Sequence, residues 1–165
     1  MRPLRSFDEF RAAVLSDVSE RVKKTSGTPP PQFVIEDADG TLRFYGPIFA
    51  SEQEKDRAPD VMREWIQEFR PTRLAFVMEA FSIDRPTEED HRSFLRENLR
   101  AVHLVSVWFF RRGSGDSEDW SAPVVAGNDV GISLGEWRAI DEADNIKNGF
   151  LWDPVAEAMA KRGDQ

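Results

Sequence analysis

Two segments of this chain are apolar on both faces of an extended backbone. In TRLAFVMEAFSID (72–84), Leu74, Phe76, Met78 and Ala80 point one way and Ala75, Val77 and Phe81 the other. AVHLVSVWFF (101–110) repeats the pattern with β-branched and aromatic residues. A strand of this kind must be covered above and below, so both segments belong inside a sheet that carries a layer on each side. The rest of the chain has to supply those layers.

Helical periodicity identifies the covering elements. Ser6 followed by Glu9 has the spacing of a capping box, and Phe7, Phe10, Val14, Val18 and Val22 recur at helical intervals, which predicts a helix over about 7–24. TSGTPPPQ (25–32) ends it, because Gly27 suits a C-terminal break and Pro29, Pro30 and Pro31 impose an extended path without donors. From Glu54 to Arg70, Ala58, Val61, Met62, Trp65, Ile66 and Phe69 trace one apolar stripe, with Pro59 in the first turn. A third helix is expected over 86–100, acidic at its start and basic at its end, with Thr87 as cap and Phe94, Leu95 and Leu99 inward. Asp153-Pro154 opens a short helix whose thin apolar side is Val155, Ala158 and Met159.

Shorter strands complete the sheet. Phe33, Ile35, Leu42 and Phe44 alternate around Asp39-Gly40, a preferred hairpin tip. DADG also invites a calcium loop, but with Gly40 at the invariant glycine the first ligand position would be Ile35 and the bidentate glutamate position Gly46, so the hairpin stands. RRGSGDSED (111–119) has the composition of an exposed loop, and 120–140 reads as short strands around Gly127-Asn128-Asp129, Pro123 marking an edge. The order predicts one α+β domain spanning 1–165. It comprises an N-terminal helix (1–24), a Pro-rich connector (25–32) and a body (33–165) with a mixed, largely antiparallel sheet of about five to six strands under about three to four helices.

The absence of cysteine removes disulfides, thiolate zinc sites, iron–sulfur ligation and cysteine nucleophiles. The net charge is −8, and residues 113–165 alone carry four basic and eleven acidic groups, a field that repels phosphate backbones. Neither a spanning apolar stretch nor a signal-like start is visible. The expectation is a soluble, acidic, cytoplasmic protein with no nucleic-acid or membrane partner, and the preference for Arg over Lys suits a GC-rich bacterial or phage genome.

The chain is expected to hold no nucleophile elbow, phosphate loop, dinucleotide fingerprint or H-E-x-x-H zinc motif. The glycines of Gly113-Ser114-Gly115 precede no helical pattern and offer no nucleotide site. Glu88, Glu89, Asp90 and His91 could offer ligands to a hard divalent ion, but acids in a first helical turn serve the helix dipole, so neither a metal nor a cofactor is expected. Glu79 and His103 are more informative, Glu79 being the only ionisable side chain in Leu74 to Ile83 and His103 the only one in Ala101 to Phe110. If the segments are neighbours the two could face one another or a shared cavity, where desolvation would raise the glutamate toward the range useful for proton transfer. The competing reading is a structural polar network.

Trp65 and Trp108 are expected in the core, whereas Trp120, Trp137 and Trp152 sit beside loops where an interface would place them. The stretch FVMEAF, followed by acidic Pro-Thr-Glu-Glu and then an apolar strand, resembles small bacterial and phage proteins over a minority of the chain, and the resemblance implies no activity. The leading expectation is a small accessory or regulatory protein acting through contacts with an unknown protein partner, including a second copy of itself, since helix 1 is separable. The alternative is a small acid/base enzyme using Glu79 and His103.

Overall fold

The computed structural model describes residues 5–82, 87–89, 99–114, 117–127, 131–140 and 151–161. They form an α+β domain in which an antiparallel sheet is covered on both faces. Helix α1 (Phe7–Thr25) is followed by the hairpin β1 (Gln32–Glu36) and β2 (Leu42–Tyr45). Next come a single turn, α2 (Glu52–Lys55), and α3 (Ala58–Phe69), then β3 (Arg73–Ser82), β4 (Val102–Arg111) and β5 (Ser117–Ala126). The fragments β6 (Ile132–Leu134) and β7 (Arg138–Ala139) and helix α4 (Trp152–Ala160) complete the described chain.

The strand order is β2-β1-β3-β4-β5-β6, with β7 also on β5. Every described pair is antiparallel, so the mixed pairing left open by the sequence resolves to one direction. There are seven strands rather than five or six because the last edge is split. β6 pairs with Val124–Ala126 and β7 with Trp120–Ser121, while between them the Gly135 amide donates to the Pro123 carbonyl at 2.8 Å. A strand residue's N–H and C=O face the same side, so the donor missing at Pro123 falls at the gap.

The two expected central strands are neighbours in full register, from Arg73↔Arg111 to Ser82↔Val102. On one face Val34, Ala75, Val77, Val105, Val107 and Phe109 meet Phe10, Val14, Val18 and Val22 of α1. On the other, Phe33, Leu74, Phe76 and Phe110 meet Met62 and Ile66 of α3 and Trp152, Val155 and Met159 of α4. Helix α1, which the sequence leaves separable, thus lies on the sheet of its own chain. Ser6 caps it as its spacing predicts, accepting from the Glu9 amide at 3.1 Å, and Ser26 rather than Gly27 takes the left-handed position at its end.

Other expectations change in detail. The helix expected over 54–70 divides into α2 and α3, and its stripe is wider than its buried face, leaving Val61 and Phe69 exposed. The segment 111–119 is not all exposed loop, since β5 starts at Ser117 and the Asp119 side chain is buried beneath the strand pair. Trp152 is in the core, whereas Trp120 and Trp137 are half-buried against the α1 face, with Trp137 Nε1 donating to Ser19 Oγ at 2.8 Å. Most of the third helix expected over 86–100, His91 included, lies outside the described residues.

One side chain ties the layers together. Arg112, just past β4, donates from Nε to the Pro71 carbonyl (3.1 Å) and from Nη1 to the Ala158 (3.1 Å) and Lys161 (3.3 Å) carbonyls. Its Nη2 donates to the Ile66 carbonyl at 3.5 Å. A single guanidinium therefore reaches carbonyls at the C-terminal ends of both α3 and α4, sharing that of Ile66 with the Arg70 amide and serving that of Ala158 in the last turn of α4. Burial pushes the Arg112 guanidinium below its ordinary pKa, and Arg70 nearby acts in the same direction.

Candidate functional site: an open strand edge beside Glu79 and His103

The site begins where the sheet ladder stops. β1 pairs with β3 only through Gln32↔Val77, Phe33↔Phe76 and Val34↔Ala75, yet β3 continues to Ser82, paired there with β4 alone among the described strands. Had β1 continued in register, Pro31, Pro30 and Pro29 would face Met78, Glu79 and Ala80. None has an N–H to give, so the ladder cannot extend. The connector instead swings away from the edge and leaves a groove of about 640 Å³, lined by Thr28 to Pro31, Pro47, Phe49 to Glu52, Lys55, Met78 and Glu79.

The opposite wall is held against the connector by main chain. The Ile48 amide donates to the Pro31 carbonyl at 2.7 Å. Gly46 permits this approach: a Cβ there would lie 2.6 Å from the Gln32 Cβ and 2.9 Å from the Pro31 oxygen. Rigid prolines and a glycine-dependent backbone contact thus fix the width of the groove.

Glu79 and His103 meet at its end. His103 Nε2 lies 2.9 Å from Glu79 Oε2, and the Thr28 hydroxyl donates to the same oxygen at 2.6 Å. With the carboxylate accepting, the imidazole donates from Nε2. The ring is held flat on Phe81, centroids 4.7 Å apart and planes 5° from parallel. The register explains this geometry, because Phe81↔His103 and Glu79↔Val105 are cross-strand pairs and place the histidine diagonal to the glutamate on the α1 face.

The sequence brought together Glu79 and His103, and the structure does too, but the dry setting expected for them is corrected. Their side chains are 28% and 35% exposed, because α1 ends before it covers this end of the sheet. Thr28 was missed, since a hydroxyl in a proline-rich connector has no local signature of its partner. Of the proposed metal cluster, Asp90 and His91 lie outside the described residues. Among the described residues no group of three or more His, Asp or Glu side chains is arranged to hold a metal ion.

The G-x-S-x-G spacing of a nucleophile elbow, not anticipated above, does occur once, at Gly131–Gly135. Ser133 lies within β6, paired with Val125, and the chain continues into β7 rather than a helix, so the strand-to-helix turn that an elbow needs is absent there. A second polar centre was also missed. The Glu36 side chain is 2% exposed and is held by Arg5 Nη1 at 3.0 Å and Arg73 Nη2 at 3.5 Å. In the sequence it reads as one more acid before the hairpin turn.

No helix among the described residues is long and apolar enough to cross a membrane. No family model, curated protein or solved structure matches the chain.

Proposed function

We propose that the chain is an accessory or regulatory protein that acts by protein contact, and that its working surface is the open edge of β3. The observation that carries this is the run of β3 residues beyond Val77, unpaired by β1 and bordered by a groove of about 640 Å³. An extended segment of a partner fits such an edge: main-chain hydrogen bonds supply affinity and alternate side chains enter the groove. Glu79, with Thr28 and His103 fixing its carboxylate, supplies a directed acceptor for a donor on that segment.

The test is selection of displayed peptides on the intact chain, followed by titration against Ala50→Trp, which fills the groove from an exposed position, and Val61→Lys on the far side of α3. Selected peptides are expected to bind about tenfold or more weakly to Ala50→Trp, a loss of about 1.4 kcal/mol, and to bind Val61→Lys unchanged. Peptides that ignore the tryptophan would refute the reading.

The 2.9 Å contact between Glu79 and His103 favours a second reading, acid/base catalysis, in which Glu79 takes a proton from a group in the groove and His103 orients it. Glu79→Gln keeps shape and hydrogen bonding to Thr28 while removing the base. Turnover of any substrate found in a metabolite screen should fall by about 100-fold or more in that variant, and retained turnover would dispose of the catalytic reading.

A further inference from the structure

A second cavity, remote from Glu79 along the sheet, carries a different chemistry. Rings stack outward from the core in a ladder. Phe33 is fully buried and lies 4.7 Å from Trp65 at 29°, and Trp65 lies 4.7 Å from Phe69 at 25°. Tyr45 braces the ladder, 5.3 Å from Trp65 and 5.2 Å from Phe69. The outermost rung, Phe69, is 43% exposed and borders a pocket of about 380 Å³ together with Tyr45, Glu36, Asp37, Arg70 and Arg73.

Charge around this pocket runs against that of the chain. Glu36 is shared between Arg5 and Arg73, and Asp37 is paired with Arg43. Arg70 adds a further guanidinium at the pocket wall, held by the left-handed backbone (φ 44°) that ends α3. The pocket wall itself carries two guanidiniums, Arg70 and Arg73, and two carboxylates, Glu36 and Asp37, with Arg5 behind Glu36 and both Arg43 and Asp39 behind Asp37. Arg112, which donates to the carbonyl of the lining residue Pro71 at 3.1 Å, is a further cation close by. A guanidinium beside an exposed ring face suits an anion that also offers a π-surface.

We propose that this pocket binds a small planar aromatic anion, its ring stacking on Phe69 as the next rung of the ladder and its carboxylate or phosphate meeting Arg70. The volume suits a ligand of one or two rings. The guanidinium plane favours bidentate capture of either anionic group. The buried Glu36–Arg5–Arg73 cluster holds the floor rigid, so the site is formed before the ligand arrives.

Isothermal titration of the full chain tests this with four kinds of probe. They are indole-3-acetate and adenosine monophosphate as aromatic anions, indole and adenosine as uncharged rings, cyclohexylacetate as a ring anion without a π-face, and inorganic phosphate alone. At least one aromatic anion is expected to bind saturably, about tenfold or more tightly than its uncharged or non-aromatic counterpart, and which one binds tells carboxylate from phosphate. Phe69→Ala and Arg70→Gln should each weaken that binding about tenfold, Phe69→Tyr should restore it, and Val125→Ala, at an exposed position of β5, should leave it unchanged. Unfolding midpoints of the variants, read beside the titrations, separate lost binding from lost fold, since Phe69 and Arg70 are both exposed. Absence of saturable binding by every probe, equal binding of phosphate alone, or binding undiminished in a folded Phe69→Ala or Arg70→Gln chain would overturn the proposal.

Discussion

The two halves of β3 have nearly the same apolar character and opposite fates. Arg73–Val77 is covered on both faces, with Ala75 to Val77 paired on both edges and Leu74 to Val77 buried. Among the described strands Met78–Ser82 is paired with β4 alone, and none of its residues is buried. Both halves offer aromatic and aliphatic side chains, so residue type does not explain the difference. What separates them is what lies alongside. The first half meets β1, α1, α3 and α4, whereas the second meets a connector whose prolines cannot pair and a helix that has already ended. An apolar strand becomes core or binding edge according to its neighbours, and the only hydrogen-bonded carboxylate–imidazole pair among the described residues falls in the half left open.

Two phenylalanines of β3, one in each half, measure that contrast. Phe76→Ala, at a fully buried position between Phe33 and Trp108, is expected to destabilise the chain by about 3–5 kcal/mol in denaturant unfolding. Phe81→Ala, in the open half, should cost only about 1 kcal/mol, because part of its surface already meets water. Equal losses would mean that the open half is as tightly built as the closed one.

Arg112 sharpens the comparison at the closed end. Arg112→Met retains the aliphatic stem but removes the donors serving Ile66, Pro71, Ala158 and Lys161, and an expected loss of about 2–3 kcal/mol lies between those of the two phenylalanines. A change within about 0.5 kcal/mol would show that water serves these carbonyls as well as the guanidinium does.

The connector can be tested directly. Replacing Pro29, Pro30 and Pro31 together with Val supplies the missing donors, and β1 is then expected to lengthen along β3. The amides of Met78–Ala80 should exchange about tenfold more slowly while peptide binding at the edge falls. Unaltered exchange would remove the prolines as the reason the ladder stops.

The smallest effect lies at the β1–β2 turn, distant from both halves. The Thr41 amide, 2.9 Å from Asp39 Oδ1, lowers the Asp39 pKa below its ordinary value. A carboxyl lowered in the folded state adds stability that is fully present above the ordinary aspartate pKa, about 4, and is lost as pH falls through the folded value. Asp39→Asn should therefore lower neutral stability slightly, leave stability in strong acid unchanged, and so flatten the acid limb of the profile. A wild-type profile that is already flat below pH 4 would contradict this.

Much of the frame was legible in the residues. Period-two apolarity on both faces marked 74–83 and 101–110 as interior strands, Ser6 and Glu9 marked the start of α1, and Asp39-Gly40 marked a turn in which Gly40 adopts φ 82°. The pairing of Glu79 with His103 was legible as an isolated charge in each of two neighbouring strands. Their exposure was not, because it depends on where α1 ends above the sheet. The burial of Glu36 was not either, since its partners Arg5 and Arg73 are 31 and 37 residues away.

Local patterning decided which segments became helix and strand, because each must bury one face or two, and the prolines fixed in advance that one stretch of chain could not join a sheet. Only the packed molecule decided that this stretch would leave a groove beside β3, that a single arginine would serve the ends of two helices, and that stacked rings would lead outward to a pocket lined by Arg70 and Arg73. Backbone preference acts over a few residues and can be read in order. Which side chains share a cavity depends on register and on helix ends brought together across the whole chain.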